Sequence, residues 1–85
     1  MTTATTVALS DVPRVEMTPM QPGHFSTTIH DRDTLARVDM VGTFRLTEEV
    51  AIANAEALRD ANLITVIRDH KADPVAVYHM GEKIA

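Results

Sequence analysis

The stretch that decides the fold is 46–63, which reads LTEEVAIANAEALRDANL. Thr47 is a good N-cap because its hydroxyl can accept a hydrogen bond from a free amide of the first turn. The two glutamates that follow place negative charge at the positive end of the helix dipole. Five of the next twelve residues are alanines, the strongest helix formers, and Asn62 suits a left-handed C-cap. The stretch therefore predicts one helix over Thr47–Ala61.

The apolar residues of this helix form one arc when they are placed at about 100° per residue. The arc contains Val50, Ala51, Ala53, Ala57, Leu58 and Ala61. Because most of these are alanines, we expect the helix to lie close against a sheet. Two residues break the pattern. Asn54 falls inside the arc, where we expect its amide to bond a neighbouring loop. Ile52 falls on the charged side, either as a single exposed apolar residue or as a contact with a partner or an N-terminal arm.

The residues on both sides of the helix alternate between polar and apolar in a way that predicts two β-hairpins. The four predicted strands are His24–His30, Thr34–Phe44, Leu63–Arg68 and Val75–Met80. One helix on one face of a four-stranded antiparallel sheet is the simplest way to bury both apolar surfaces. The sequence thus predicts an α+β domain over 24–85 with the element order β-β-α-β-β, and Gly81–Ala85 as a tail.

Residues 1–23 have a different composition, with three of the chain's four prolines and widely spaced apolar residues. Such a segment cannot build a core of its own. We therefore predict an extended N-terminal arm, with a short edge strand at Arg14–Thr18 between prolines. Met17 and Met20 offer adaptable apolar contacts to a partner.

A single helix leaves the second face of the sheet open to solvent. On that face we place His24, Ser26, Thr28, His30, Arg37 and Asp39, with either Ile64 and Val66 or Thr65 and Ile67. The candidate partner-binding residues are His24, His30, Arg37, Asp39, Ile52, Asn54, Met17 and Met20. The edges of the sheet also offer unpaired backbone groups, so a homodimer through a sheet edge or the arm is a further expectation.

Composition narrows the function classes. At 85 residues the chain is one small domain. Its net charge of −4 argues against nucleic acid as a direct ligand, because phosphate contacts need a basic patch. The absence of Cys excludes disulfides, thiolate chemistry and cysteine zinc sites. No stretch approaches the roughly 20 apolar residues of a membrane span, and the first residues do not resemble a secretory signal. We expect a cytoplasmic protein that does not bind membranes.

Neither a metal centre nor an active site is predicted. His24 and His30 would lie roughly 20 Å apart along a strand, too far to share an ion. His30 with Asp31 and Asp33 is a closer cluster, but zinc sites usually need four ordered ligands or three plus water. No nucleophile has a recognisable spacing to a base, and no glycine-rich loop is present. A domain this small rarely encloses the several hundred Å³ that a small molecule needs. We therefore predict no enzyme, no cofactor and no catalytic residue.

These observations favour a non-enzymatic protein–protein interaction module that acts by occupying a partner's surface. Small acidic chains of this kind occur among phage and mobile-element accessory proteins, where inhibition of a host complex is one use. The alternative is a structural subunit of a larger assembly, such as a virion component, with the arm docked on a neighbour. A third hypothesis is a metal- or ligand-binding regulator that uses the turn 30–33. No motif identifies the protein partner.

Overall fold

The protein has an α+β fold with one α-helix and a five-stranded antiparallel sheet among the residues that the structure describes. This structure, a computed structural model, describes residues 7–15 and 21–85, apart from the side chains of 41–45. The elements are a short 3-10 helix Leu9–Asp11, β1 Phe25–Asp31, β2 Arg37–Leu46, α1 Glu48–Ala57, β3 Leu63–Arg68, β4 Pro74–His79 and β5 Glu82–Lys83. The predicted fold class is confirmed.

The strands lie in the order β2-β1-β3-β4-β5, and all four pairings are antiparallel. Both expected hairpins are present, as β1–β2 and β3–β4. The predicted count of four strands is wrong, because the expected tail 81–85 folds back on β4 and supplies β5. Gly81 makes this reversal with a φ of +80°, a conformation that favours glycine. The amide of Val77 then donates to the carbonyl of Ala85 at 2.9 Å.

The helix begins as predicted but ends earlier. Thr47 caps it, and its hydroxyl accepts a hydrogen bond from the amide of Val50 at 3.3 Å. The last helical residue is Ala57, four positions before the predicted end. The chain then turns, because the carboxylate of Asp60 accepts a hydrogen bond from the amide of Asn62 at 2.9 Å. Such local bonds compete with helix continuation, so Asn62 is not the C-cap.

The face that α1 buries is rotated relative to the predicted arc. Ala51 and Ala55, one helical turn apart, are fully buried, whereas Val50 is 46% exposed. Ile52 is half-buried and packs on the same cluster, so its prediction as a lone exposed residue is wrong. The cluster also contains Ile67, Ala76 and Tyr78, with Phe25 and Leu46 at its margin. Because the two alanines are small, the helix lies close to the sheet and Ile52 reaches the core.

The second face of the sheet is covered by the N-terminal segment 7–15. Val7 and Val12, each 7% exposed, pack on the apolar residues of β3 and β4. These are Ile64, Val66 and Val77, with Leu35, Ile84 and Ala85 around them. The expectation of an open second face is therefore wrong: Ser26, Thr28, His30, Ile64, Val66, Arg68 and Val77 are all buried. Burying one valine is worth about 1.5–3 kcal/mol, which explains why the segment docks there. We call this surface the covered face.

A β-bulge at Val38 divides the polar residues of β2 between the two faces. Arg37 pairs with His30, whereas Asp39 pairs with Ile29, so one extra residue stands between the two pairs. Cross-strand partners share a face. Arg37 therefore lies on the side of the covered face and Asp39 on the side of α1, not together as predicted. Val38 itself is 56% exposed.

Candidate functional site

The centre of the covered face is a fully buried arginine, Arg68. Its Nε donates to the hydroxyl of Thr28 at 3.0 Å, Nη1 donates to the carbonyl of Ala72 at 3.1 Å, and Nη2 donates to the carbonyl of Pro13 at 3.0 Å. Buried charges are usually paired with an opposite charge. Within the described residues, the only ion pair is Arg32 with Asp33. Among the described residues, three neutral oxygens and a ring nitrogen of His30 therefore hold the guanidinium of Arg68, and the bond to Pro13 ties the N-terminal segment to β3.

His30 is buried beside this arginine, and its contacts define its tautomer. Nδ1 donates to the carbonyl of Leu35 at 2.9 Å. Nε2 faces the hydroxyl of Thr28 at 2.8 Å and Nη2 of Arg68 at 3.3 Å. Because arginine can only donate, Nε2 acts as the acceptor. Burial lowers the pKa of His30 below 6.5; the bond to Leu35 opposes this, and the charge of Arg68 lowers the pKa further. The imidazole is therefore neutral.

Two of the carbonyls that accept hydrogen bonds from His30 and Arg68 lie in turns, and both belong to residues with a left-handed backbone conformation. Leu35 has a φ of +63° and Ala72 a φ of +66°, which is unusual for residues other than glycine. Such conformations cost about 1–3 kcal/mol each and persist only where surrounding contacts hold them. The hydrogen bonds of His30 and Arg68 to these two carbonyls supply such contacts.

An open cavity of about 450 Å³ lies against His30, between the N-terminal segment and the start of β2. Its lining residues are Pro13, Arg14, Val15, His30, Ala36 and Arg37. We call it the cationic pocket. Arg14 and Arg37 are both exposed. The volume lies within the range of small-ligand sites, but the cavity is open to solvent and is not enclosed by the domain.

The electrostatic environment of the cationic pocket is positive. The pKa of Arg68 is lowered by burial and then by the charge of Arg37. Arg37 also lowers the pKa of His30. No carboxylate among the described residues contributes to either pKa shift. The pocket thus concentrates positive charge on a chain whose net charge is −4, and an anion placed there would be attracted.

A second cavity, of about 220 Å³, lies between α1 and the sheet. It is lined by Thr27, Ile29, Asn54, Ala57, Leu58 and Thr65. Asn54 is half-buried at this cavity. The hydroxyl of Thr27 is buried there and has no hydrogen-bond partner among the described residues. The cavity is smaller than typical ligand sites and no charged side chain lines it, so the cationic pocket is the better candidate site.

The structure brings together only some of the residues predicted to bind a partner. His30 and Arg37 line the cationic pocket, whereas Ile52 packs in the core. Asp39 is exposed and on the side of α1, and His24 is half-buried in the loop before β1. Met17 and Met20 lie outside the described residues. The prediction missed Arg14, Pro13 and Arg68. The alternation of β3 places Arg68 on the same side as Ile64 and Val66, which was the available signal.

The polar groups of the turn 30–33 are engaged in hydrogen bonds within the protein. His30 points into the covered face and both of its ring nitrogens are engaged. The carboxylate of Asp31 accepts hydrogen bonds from the amides of Thr34 and Asp33, each at 2.9 Å, and these bonds lower its pKa. In the part of the chain that the structure describes, no three His, Asp or Glu side chains come together around a common point.

Comparison of the chain with protein-family models, with curated proteins and with solved structures finds no match. None of the helices within 7–15 and 21–85 has the length and apolar character to cross a membrane.

Proposed function

We propose that the protein is a non-enzymatic protein-interaction module that binds an acidic segment of a partner protein in the cationic pocket. One observation carries this proposal. Two exposed guanidinium groups, those of Arg14 and Arg37, flank a cavity of about 450 Å³. A third guanidinium, that of Arg68, is buried behind His30. No carboxylate of the described residues contributes to the pKa shift of Arg68 or of His30.

The side chains that line the pocket favour a carboxylate as the group that is bound. The planar guanidinium fork matches a carboxylate in bidentate geometry, and Arg14 and Arg37 approach the cavity from two different segments. A nucleic acid requires many phosphate contacts along its backbone. A chain of net charge −4 with two exposed arginines at the pocket supplies few of these. An aspartate or glutamate of a protein segment therefore fits better.

The walls of the pocket are fixed before any ligand binds. The carbonyl of Pro13, next to Arg14, accepts a hydrogen bond from buried Arg68 at 3.0 Å. Arg37 is paired with His30 across β1 and β2. Preorganised sites pay less ordering entropy on binding. The arrangement therefore supports a binding role with little rearrangement of the domain.

The chemistry of the lining supports a role without catalysis. His30 is the lining group whose pKa lies nearest neutrality, and burial lowers that pKa. Its two ring nitrogens already bond Leu35, Thr28 and Arg68. A general base must reach the proton that it removes, and Nε2 is turned inward. The other lining residues of the described chain offer no nucleophile.

The proposal is tested by selecting binders from a displayed library of random decapeptides and measuring their affinity by calorimetry. We expect the selected peptides to contain aspartate or glutamate. Arg14→Glu and Arg37→Glu should each weaken binding by about tenfold or more, and added salt should weaken it further. Arg59→Glu is the matched control, because Arg59 is exposed and bonds the carbonyl of Met80 away from the pocket.

Two results would contradict the proposal. One is a set of selected peptides without acidic residues, or a loss of affinity in Arg59→Glu as large as that in Arg37→Glu. The other is tighter binding of a thymidine oligonucleotide than of any selected peptide, which would indicate a nucleic-acid site instead.

A further inference from the structure

We infer that the acidic partner segment binds as an added antiparallel strand on the edge of β2 that no other described strand occupies. Its acidic residue stands at its carboxyl-terminal end, inside the cationic pocket. This inference rests on the proposed function and names the form in which the partner is bound. It is drawn from the position of β2 in the sheet and from the place where the pocket meets that strand.

β2 is a long edge strand. It is the first strand in the sheet order and pairs with β1 alone among the described strands. It has ten residues, whereas the strand at the opposite edge, β5, has two. Every second residue of an edge strand presents unpaired amide and carbonyl groups that can pair with another chain. β2 contains no proline or lysine, and its edge-protecting features among the described residues are the bulge at Val38 and the charged residues Arg37 and Asp39. Its bulge residue Val38 is 56% exposed.

The cationic pocket and the edge meet at one residue. Arg37 is the first residue of β2 and also forms a wall of the pocket. β2 runs away from the pocket toward Leu46. A segment that adds to β2 therefore has one end at the pocket. This contact gives main-chain pairing for affinity and a side-chain site for specificity, as in other cases of strand addition.

The direction of the added strand follows from the sheet. All four strand pairings in this sheet are antiparallel, and antiparallel pairing is slightly more stable per residue than parallel pairing. In an antiparallel arrangement, the carboxyl-terminal end of the partner strand lies beside Arg37. The carboxylate that the pocket attracts should therefore stand at that end of the segment.

A second copy of this chain is a poorer occupant than an acidic partner. Antiparallel pairing of two β2 strands would bring the carboxyl-terminal end of one to the pocket of the other. That end reads Thr43-Phe44-Arg45-Leu46 and contains a cation instead of a carboxylate. Each copy also has a net charge of −4, which opposes self-association.

The test uses one decapeptide chosen from the library selection described above. Three versions are compared by calorimetry: the parent peptide, a version with its acidic residues moved to the amino-terminal end, and a series in which single backbone amides are N-methylated. Amide hydrogen exchange of β2 is measured by NMR with and without the parent peptide. Full-length protein is used throughout, with Arg37→Glu as the pocket variant.

For strand addition we expect N-methylation at alternate positions to weaken binding about tenfold or more, and methylation at the positions between them to have little effect. Moving the acidic residues to the other end should weaken binding by a similar factor. The amides of β2 that face away from β1 should exchange more slowly when the peptide is bound.

The outcomes separate the two proposals. If every N-methylated peptide binds as the parent does while Arg37→Glu abolishes binding, strand addition is overturned and the proposed function stands. If Arg37→Glu does not change the affinity for the parent peptide, the proposed function fails, and strand addition at the pocket fails with it. Slow exchange of those β2 amides in the free monomer would mean that the chain's own residues occupy the edge. Slow exchange in a free dimer would assign the edge to a second copy. Either result overturns the inference.

Discussion

Replacing buried Arg68 with methionine should destabilise the protein by about 2–4 kcal/mol. Methionine keeps much of the apolar stem but removes every donor. The carbonyls of Pro13 and Ala72 then lose their hydrogen bonds, at a cost of about 1–3 kcal/mol each. The hydroxyl of Thr28 keeps a partner, because it can still donate to His30 at 2.8 Å. Relief of the desolvated guanidinium offsets part of the loss.

This loss is large for a domain of this size. A stability of about 0.05–0.15 kcal/mol per residue gives roughly 4–13 kcal/mol for the whole chain. At about 4–8 °C per kcal/mol for small domains, the melting temperature should fall by roughly 8–32 °C. Arg68→Lys should not restore stability. The three acceptors surround three different nitrogens, and a single ammonium cannot reach them all.

Urea unfolding followed by circular dichroism measures the free energy, and limited trypsin digestion reports on the N-terminal segment. Cleavage after Arg14 should accelerate in Arg68→Met, because the neighbouring carbonyl of Pro13 is released. Arg59→Met is the matched control; Arg59 is exposed with one hydrogen bond to the carbonyl of Met80, and its loss should change stability by less than about 0.5 kcal/mol. If Arg68→Met unfolds at the same urea concentration as the wild type, or if cleavage after Arg14 is unchanged, our account of the covered face is refuted.

Three further predictions concern a pair of threonines, a pair of glycines and one histidine. Thr28→Val should cost about 1–3 kcal/mol in urea unfolding, because its buried hydroxyl bonds two side chains. Thr27→Val should cost nothing or stabilise, because no described residue bonds its buried hydroxyl; equal losses at the two positions would contradict this. Gly23→Ala, at a φ of +91° with nothing within 4 Å of the new Cβ, should cost about 1–2 kcal/mol for the left-handed backbone alone. Gly81→Ala, at +80°, should lower the melting temperature further, because its Cβ would stand 2.7 Å from a backbone oxygen of α1; the reverse order would refute the packing argument. Because the pKa of folded His30 is below 6.5, the unfolded state binds more protons as pH falls through this region. Urea unfolding at several pH values should therefore show stability decreasing below about pH 6.5, and His30→Gln should reduce that slope.

Local patterns predicted the elements with considerable success. β3 spans Leu63–Arg68 as expected, because its run of β-branched residues fits the pleated surface of a sheet. Thr47 caps α1 because the bond from its hydroxyl spans only three residues. The start of β2 was less predictable. The carboxylate of Asp31 caps the amides of Asp33 and Thr34, and this turn delays β2 until Arg37.

The candidate site was only partly predictable. His30 and Arg37 were candidates, but on an exposed face; the structure buries His30 and leaves Arg37 at the rim of a cavity. Arg14 lines the same cavity but belongs to the N-terminal segment, which precedes β1 in the chain. No periodicity relates residue 14 to residue 37, because their approach depends on where the N-terminal segment docks.

By itself, the sequence determined the α+β class, the two hairpins and the start of the helix, since these follow from bonds and side-chain alternation within a few residues. The tertiary structure alone decided that segment 7–15 covers the second face, that β5 extends the sheet, and that Arg68 is buried without a described counter-ion. The physical reason is that these features depend on contacts between distant residues. Val12 packs on the apolar residues of β3 and β4, and the carbonyl of Pro13 accepts a hydrogen bond from a residue 55 positions away. The residues next to Val12 and Pro13 in the chain do not identify these distant contacts.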